Sequence, residues 1–272
     1  MKLHYLLILI GLNIHFVAFN QTDNYAEIVN PFIGTGGHGH TYPGPSMPFG
    51  MMQLSPDTRH DGWDGCSGYH YSDDVIYGFS HTHLSGTGVS DYGDLLIVPQ
   101  NGTPRIDPGY SSEKGYGDHF SHENEKASPG FYSVHLEEQD IDVRLSVSTR
   151  AGIHEYTFNN PSGKKFILID LDHRDRLLSS AINVIGDSVV TGHRTSKAWA
   201  TKQEFHFYLE TNVPFHKARE IEKDGRHKLL LIFNKKTDQI KIRVGMSAVD
   251  IDGAQKNLEQ EIDFFMEEEE EK

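Results

Sequence analysis

Residues 141–148 read Ile-Asp-Val-Arg-Leu-Ser-Val-Ser, with apolar and polar side chains in alternation. Residues 240–246, Ile-Lys-Ile-Arg-Val-Gly-Met, repeat this pattern near the end of the chain. Because successive side chains of a β-strand point to opposite faces, the alternation predicts strands with one buried and one solvated face. Such strands are typical of antiparallel sheets, which pack one face against a core.

Further short strands are predicted between these two segments, separated by turn sequences. Residues 159–163, 185–187 and 223–225 combine Asn, Asp, Gly and Pro, which favour turns. No helical pattern intervenes, so we predict an all-β fold, a large antiparallel β-sandwich, over residues 21–250. The additional strand candidates are residues 131–137, 154–158, 166–171, 188–191, 205–210 and 228–233.

The N-terminal residues have the composition of an export signal. Lys2 precedes the apolar run Leu6–Ile14, which is too short to span a bilayer as a helix of roughly 20 residues. We therefore predict a signal peptide over residues 1–20, cleaved near Asn20, and an exported protein that is periplasmic or extracellular. Cys66 is the only cysteine, so the domain has no internal disulfide and relies on its core for stability.

The net charge of −14 is unevenly distributed along the chain. Residues 259–272 contain eight acids and one lysine, which gives −7 and leaves −7 for the remainder. Nucleic acids and anionic membrane surfaces attract clustered Lys and Arg, and an acidic chain offers the opposite charge. We therefore expect no nucleic-acid partner, and no membrane partner after signal cleavage.

Residues 30–99 are dominated by glycine. They contain 13 of the 26 glycines and six histidines, with one arginine and no lysine or glutamate. Glycines allow positive φ angles and close backbone approach, which loops need and regular strands do not. Because aromatic residues from Trp63 to Tyr92 lie among them, a mobile linker is disfavoured, and we predict a functional loop system.

The C-terminal stretch changes from alternation to helical spacing. Asp252 followed by Gln255 fits a capping box at a helix start. We predict that residues 251–272 begin an interdomain helix and that the chain stops short of a second domain. Its apolar stripe, left uncovered, would promote self-association. The stripe comprises Ala254, Leu258, Ile262 and Phe265.

His81 and His83 lie two residues apart, a spacing that suits zinc if both side chains share one face of a strand. A zinc centre would need a third ligand. Histidines also hydrogen-bond polar ligands and loop backbone, and we favour that role, so no metal ligand is assigned. The other histidines of the glycine-rich stretch are His38, His40, His60 and His70.

Trp63 lies in a Gly-flanked loop with Tyr69, Tyr71 and several carboxylates. Sugar sites use this composition, since an aromatic ring stacks on the apolar face of a pyranose while polar groups bind its hydroxyls. Burial of Trp63 in the core is the alternative. Trp199 lies in an alternating stretch and is predicted to pack in the core. Cys66 is predicted to be a buried, small apolar residue rather than a nucleophile.

Four segments, in order, resemble a known family. They read Val-Asn-Pro-Phe-Ile-Gly-Thr (29–35), Tyr-Pro-Gly-Pro-Ser-Met-Pro-Phe-Gly (42–50), Gly-Trp-Asp-Gly-Cys-Ser-Gly-Tyr-His-Tyr-Ser (62–72) and Gly-Phe-Ser-His-Thr-His-Leu-Ser-Gly (78–86). These motifs resemble the N-terminal domain of glycoside hydrolase family 92, whose members are exo-acting α-mannosidases. The resemblance runs from about residue 25 to residue 262.

The resemblance implies a two-domain enzyme with its active site between the domains. The N-terminal domain is a galactose-mutarotase-like supersandwich, and the C-terminal domain is an α/α toroid. Family members are inverting and calcium-dependent. In the family, both catalytic carboxylates and most calcium ligands belong to the toroid, so no catalytic residue is assigned here and calcium is expected mainly in the missing domain. The residues that match the family motif, predicted to face substrate or the domain interface, are Trp63, Asp64, Cys66 and His83.

Three hypotheses about function follow. The first is the N-terminal, carbohydrate-contacting domain of an inverting α-mannosidase that acts on mannose-containing glycans, catalytically incomplete by itself. The second is a stand-alone carbohydrate-binding protein that holds mannose through Trp63 without cleaving it. The third is a zinc hydrolase built on His81 and His83.

Overall fold

The computed structural model describes residues 25–110, 114–223 and 226–264. The predicted signal peptide, part of the turn at 223–225 and Phe265 lie outside these ranges. The strands are β1 (Ser55–Asp57), β2 (Val75–Ile76), β3 (Gly78–Ser80), β4 (Leu96–Asn101), β5 (Asp118–His119), β6 (Lys126–Ser128), β7 (Phe131–Leu136), β8 (Ile141–Val147), β9 (Ala151–Phe158), β10 (Lys165–Asp170), β11 (Arg176–Ile185), β12 (Val189–Lys197), β13 (Gln203–Thr211), β14 (Lys217–Lys223), β15 (Arg226–Ile232) and β16 (Gln239–Ser247). One α-helix in the described chain, α1 (Ile251–Glu261), follows β16.

The strands form two large antiparallel sheets. A six-stranded sheet has the order β1-β3-β4-β10-β15-β14, and an eight-stranded sheet has the order β11-β12-β13-β16-β9-β8-β7-β6. Strands β2 and β5 pair with each other in a small third sheet. Both large sheets contribute side chains to one shared hydrophobic core. The predicted large antiparallel β-sandwich is therefore confirmed.

The alternation in β8 places one face in this core. Ile141, Val143 and Leu145 are buried, whereas Asp142 between them is exposed. Burying such an aliphatic side chain stabilises the fold by roughly 1.5–3 kcal/mol. The segment that first indicated the fold therefore also contributes to its stability.

Strand β10 is buried on both of its faces. Ile167 and Ile169 enter the core between the sheets, whereas Phe166 and Leu168 enter a second cluster on the outer face of the six-stranded sheet. Tyr116, from the segment before β5, belongs to this second cluster. Burial on both faces explains why β10 reads as a continuous apolar run rather than an alternation.

Some elements differ from the sequence predictions. The glycine-rich residues 30–99 are not only loops, because they also contain β1, β2, β3 and the start of β4. Strands β11 and β14 were not predicted. Strand β11 is a sheet edge with mostly exposed or half-buried residues and a register shift between Leu177 and Ser179. An edge strand that buries little apolar area shows no hydrophobic alternation.

The N-cap of helix α1 lies two residues before the predicted one. Asp250, not Asp252, is its N-cap: its backbone is extended (φ −161°), and its side chain accepts a hydrogen bond from the Gly253 amide at 2.7 Å. Asp252 lies in the first turn instead. A carboxylate there interacts with the positive end of the helix dipole without capping the helix.

The apolar stripe of α1 is covered by the chain's own eight-stranded sheet, which corrects the expectation of an uncovered stripe. Ala254 and Leu258 are fully buried. A Cβ at Gly245 of β16 would lie 2.2 Å from the Ala254 carbonyl oxygen, so helix and strand are in direct contact. The helix ends at Glu261. In the part of the chain that the structure describes, no helix has the length and hydropathy needed to cross a membrane.

Candidate functional site

Three glycine-rich loops are hydrogen-bonded to each other and form the candidate site. The Gly86 amide donates to the His40 carbonyl at 2.7 Å, and the Tyr71 amide donates to the Thr35 carbonyl at 2.9 Å. These loops, named the loop cluster, comprise residues 34–42, 62–72 and 84–94.

Trp63 is the exposed aromatic residue of the loop cluster. Its side chain lies on a short 3-10 turn and is 63% exposed. The ring packs over Gly88, where an added Cβ would lie 2.3 Å from a ring carbon, and it meets His40 edge to face at 5.4 Å between centroids. Core burial, one of the two interpretations of the sequence, is thereby excluded. A ring held in place with a free surface is suited to stacking on a sugar.

Trp199 is also 63% exposed, so its predicted place in the core is wrong. The alternation of β12 ends at Lys197, and Trp199 belongs to the bend that follows. The Ala200 amide donates to the Asp91 carboxylate at 2.8 Å, which ties this bend to the loop cluster.

Asp64 presents a carboxylate beside Trp63. Its Oδ1 atom accepts hydrogen bonds from His38 Nδ1 at 2.7 Å and His40 Nε2 at 3.2 Å. The hydrogen bond from His38, with that from His40, holds the pKa of Asp64 below its usual value. Asp64 is therefore an ionised hydrogen-bond acceptor, and it lacks the raised pKa of a general acid.

Cys66 is buried, as predicted for a packing residue. Its thiol donates to the Thr87 carbonyl, which joins two loops of the loop cluster. Burial raises the pKa of the thiol, and a protonated thiol is a poor nucleophile. The side chain thus lies beneath the surface of this domain, behind Trp63 and Asp64 in sequence, rather than in an exposed position.

His83 is likewise buried behind the loops. Its Nδ1 atom donates to the Gln53 carbonyl at 2.7 Å, and its Nε2 atom lies 3.3 Å from the Asp57 carboxylate. Both ring nitrogens are occupied by protein groups. The position of His83 suits a supporting role for the loops better than a contact with a ligand.

Asp57 is the centre of a buried charged group. His173 Nε2 lies 3.5 Å and Arg174 Nη1 lies 3.7 Å from its oxygens, in addition to His83. Burial alone would raise the pKa of Asp57, but the facing His83 and His173 hold it well below its usual value. Asp57 is thus a buried carboxylate anion that faces the Arg174 guanidinium and two imidazole rings.

Arg174 extends this charged group to the loop cluster. Its Nη2 atom donates to the Gly65 carbonyl at 2.9 Å and to Ser90 Oγ at 2.8 Å, so it holds two loops from beneath. Sequence reasoning missed Arg174, because it lies in no motif and more than 80 positions from these partners. The role of Arg174 is visible only from its contacts, and these contacts exist only in the folded chain.

His81 is buried in a directed chain of hydrogen bonds. Because the Leu95 carbonyl only accepts, His81 Nδ1 carries the proton of their 2.7 Å bond. His81 Nε2 therefore accepts from His154 Nε2 at 3.0 Å, and His154 Nδ1 accepts from the Tyr156 hydroxyl at 2.7 Å. Burial lowers the pKa of His81 to about 4, in agreement with a neutral ring.

The zinc centre considered for His81 and His83 is not assembled by the structure. Each ring has its nitrogens engaged by backbone or side-chain partners. The two rings instead join the loops to the sandwich.

A different set of ligand-type side chains converges in the described chain. The ligand atoms of His38, His40 and Asp64 all lie within 4.8 Å of one another. Calcium takes six to eight oxygen ligands, so two imidazoles and one carboxylate do not fit it. The calcium that the family resemblance implies is therefore not placed on these residues.

The fold and the motifs agree with the comparisons to known proteins. Residues 28–247 match the Glycosyl hydrolase family 92 N-terminal domain. A family GH92 α-mannosidase from Bacteroides thetaiotaomicron, solved in complex with mannoimidazole, is 31% identical with a TM-score of 0.80, covering 86% of this chain and 34% of that one. An inverting family GH92 mannosidase from the same species shares the fold, at 23% identity and a TM-score of 0.74, covering 88% of this chain and 33% of that one.

A curated relative supports the same relationship. It is described as an uncharacterized secreted glycosidase of Arthroderma benhamiae and is 29% identical over 191 residues, which are 67% of this chain and 24% of the relative. The chain thus spans about a third of the solved relatives and about a quarter of the curated one. With the family's N-terminal domain over residues 28–247, the chain belongs to glycosyl hydrolase family 92.

Proposed function

We propose that this chain supplies one wall of a mannose-binding site in an exported, inverting α-mannosidase that acts on mannose-containing glycans. The observation that carries the proposal is Trp63, an exposed ring held over Gly88 next to an ionised carboxylate. The ring offers a stacking surface, and Asp64 accepts hydrogen bonds from sugar hydroxyls. The mannoimidazole complex of a solved relative and the secreted glycosidase support substrate class and export.

We assign Cys66 and His83 a positioning role in this site. The Cys66 thiol holds the loop that carries Trp63 against the loop that carries Gly88. His83 joins the same region to Asp57 and Gln53 from beneath. Neither side chain needs to touch the sugar to affect its binding.

The catalytic acid and base are proposed to come from a second domain, an α/α toroid that also holds the calcium. Inversion requires one carboxyl that donates a proton and one that activates water, about 6.5–9.5 Å apart. Asp57 and Asp94 are buried in ion pairs, with His83 and Arg194 among their partners. Asp64 has a lowered pKa. None of these three carboxylates has the properties of a proton donor.

The role of Trp63 is tested by calorimetric titration of the full chain with mannose and mannoimidazole. We expect binding in the millimolar range, weakened about tenfold in Trp63→Ala through loss of stacking, which corresponds to about 1.4 kcal/mol. Trp199→Ala is the matched control, because Trp199 has the same 63% exposure outside the loop cluster. Equal affinities in both variants would contradict the proposal.

Catalysis is tested with an aryl α-mannoside and calcium. We expect no turnover by a protein made of residues 21–272, because the proton donor is assigned to a second domain. Robust hydrolysis would overturn that assignment. Micromolar mannose binding without turnover would favour the stand-alone carbohydrate-binding protein instead.

A further inference from the structure

We infer that His38, His40 and Asp64 form a binding site for a divalent transition metal of the zinc type. This site is separate from the calcium that the family resemblance implies. It lies beside the proposed sugar-stacking residue, since the His40 ring touches Trp63 edge to face at 5.4 Å. The inference goes beyond the proposed function and does not depend on it.

The distances come close to those of a metal centre. Asp64 Oδ1 lies 2.7 Å from His38 Nδ1 and 3.2 Å from His40 Nε2, and the three ligand atoms lie within 4.8 Å of one another. Zinc binds such atoms at about 2.0–2.2 Å, which separates tetrahedral ligands by about 3.4 Å. Metal binding requires the three ligand atoms to move to separations of about 3.4 Å, and the metal then replaces the two hydrogen bonds to the carboxylate.

The donor set selects the class of metal. Two imidazole nitrogens and one carboxylate oxygen suit zinc and its transition-metal neighbours, whereas calcium and magnesium prefer oxygen ligands alone. Three protein ligands leave at least one coordination position for water or another small ligand.

The loop that carries the two histidines is held in place. His40 adopts a left-handed backbone conformation (φ 55°), and its carbonyl accepts from the Gly86 amide. Gly39 has no room for a side chain, because a Cβ would lie 2.0 Å from the Gly34 carbonyl oxygen. Backbone conformations of this kind persist where the surrounding structure enforces them and are common at functional sites.

The three ligands differ in accessibility in a way that allows metal entry. The His40 side chain is 7% exposed, Asp64 is 27% exposed and His38 is 80% exposed. One ligand is therefore positioned by packing, and another approaches from solvent. An ion can enter on the side of His38 without opening the loop cluster.

The test is titration of the full chain with zinc chloride, in the absence of sugar. We expect one equivalent to bind with a micromolar dissociation constant, and His38→Ala to weaken binding at least about tenfold. With cobalt as a spectroscopic probe, wild type should show visible absorption bands of a low-coordinate ion, and His38→Ala should lose them. Excess calcium should not displace the zinc.

A matched control addresses adventitious binding. His193 and His206 face each other across β12 and β13, with ring centroids 5.8 Å apart, and such a pair can also chelate metal. His193→Ala should leave the titration unchanged. The inference is overturned if wild type takes up no stoichiometric zinc, if His38→Ala binds as wild type does, or if His193→Ala abolishes binding.

Different results would contradict the proposed function and the metal site. A chain that binds mannose but no zinc contradicts the metal site alone. A chain that binds zinc but no mannose contradicts the proposed function alone.

Discussion

Gly88 and Gly68 show how single residues place the candidate site. Gly88 lies beneath the exposed ring of Trp63, and Gly68 lies against the buried Asp57. In each case a methyl group would occupy space that the functional or charged side chain already fills. Both glycines therefore act by leaving space, Gly88 for the Trp63 ring and Gly68 for the Asp57 carboxylate.

For Gly88→Ala, we expect a loss of sugar affinity with little loss of stability. The added Cβ would lie 2.3 to 2.5 Å from three ring carbons of Trp63, so the exposed ring must move. Mannose affinity should fall about tenfold, comparable to loss of the stacking contact. Gly36→Ala is the control, because its Cβ would make an ordinary 3.6 Å contact with Tyr71. Calorimetric titration showing wild-type affinity for Gly88→Ala would contradict the placement of Trp63.

For Gly68→Ala, we expect a large loss of stability. Gly68 has φ 86°, and its Cβ would lie 2.3 Å from Asp57 Oδ1 and 2.9 Å from Arg174 Nη1. Disturbing this buried charged group should lower the free energy of unfolding by about 3 kcal/mol or more.

Gly102→Ala separates the steric effect from backbone strain. Gly102 has nearly the same φ, 89°, but no atom within 4 Å of the added Cβ. Gly102→Ala should lower the free energy of unfolding by only about 1 kcal/mol, because alanine is strained in the left-handed backbone conformation. Urea denaturation compares the two variants, and similar losses would argue against close packing of Gly68 on Asp57.

At the scale of secondary structure, α1 illustrates the limit of sequence spacing. The helical period of Ala254 and Leu258 correctly predicts the helix and its buried face. The spacing of Asp252 and Gln255 predicted an N-cap at Asp252, although Asp250 is an equally acceptable cap by residue type. The backbone conformation at Asp250 selects between them, and that conformation depends on how β16 leads into the helix.

Two substitutions test this N-cap assignment. Asp250→Ala should lower the free energy of unfolding by about 1 kcal/mol, because the Gly253 amide loses its acceptor. Asp252→Ala removes only an interaction with the helix dipole and should cost less, about 0.3–0.5 kcal/mol. Thermal or urea unfolding measures both. An equal or larger effect at Asp252 would contradict the observed cap.

At the scale of the whole molecule, buried histidines join the loop region to the sandwich. His81 follows β3 of the six-stranded sheet, and its hydrogen-bond partner His154 lies in β9 of the eight-stranded sheet. Both rings are fully buried, and burial lowers the pKa of each. Neutral imidazoles thus form a polar contact between the two sheets, in addition to the shared hydrophobic core.

This arrangement predicts a loss of stability in mild acid. The unfolded chain protonates His81 near pH 6.5, whereas the folded chain resists protonation until about pH 4. The stabilising contribution is present above pH 6.5 and declines as pH falls from 6.5 towards 4. Between pH 7 and pH 5, His81 alone should account for a loss of about 2 kcal/mol in unfolding free energy.

The variant His81→Asn keeps a donor for the Leu95 carbonyl but does not titrate. It is expected to be less stable than wild type at pH 7, yet to lose about 2 kcal/mol less between pH 7 and pH 5. Urea unfolding at both pH values measures the difference. Parallel losses in wild type and variant would show that His81 does not carry the pH dependence.

The sequence by itself determined the fold class, most of the strands after residue 130 and the family. Side-chain alternation is a local property, so β8 was predicted over residues 141–148, one residue beyond its observed bounds of Ile141–Val147. The glycines that flank Trp63 predicted a loop, and Trp63–Gly65 form a short 3-10 turn there. Strands β11 and β14 were not predicted, because edge strands bury too little apolar surface to show an alternation of apolar and polar residues.

Only the tertiary structure decided which side chains reach the surface and which ones meet. Trp63 and Trp199 are both exposed. The sequence did not decide between a surface and a core position for Trp63, and it wrongly predicted a core position for Trp199. Arg174 contacts the loop cluster, and Asp64 contacts His38, over separations of 26 or more positions along the chain. Such contacts depend on how loops that are distant in sequence pack on the sandwich, and local residue patterns do not predict that packing.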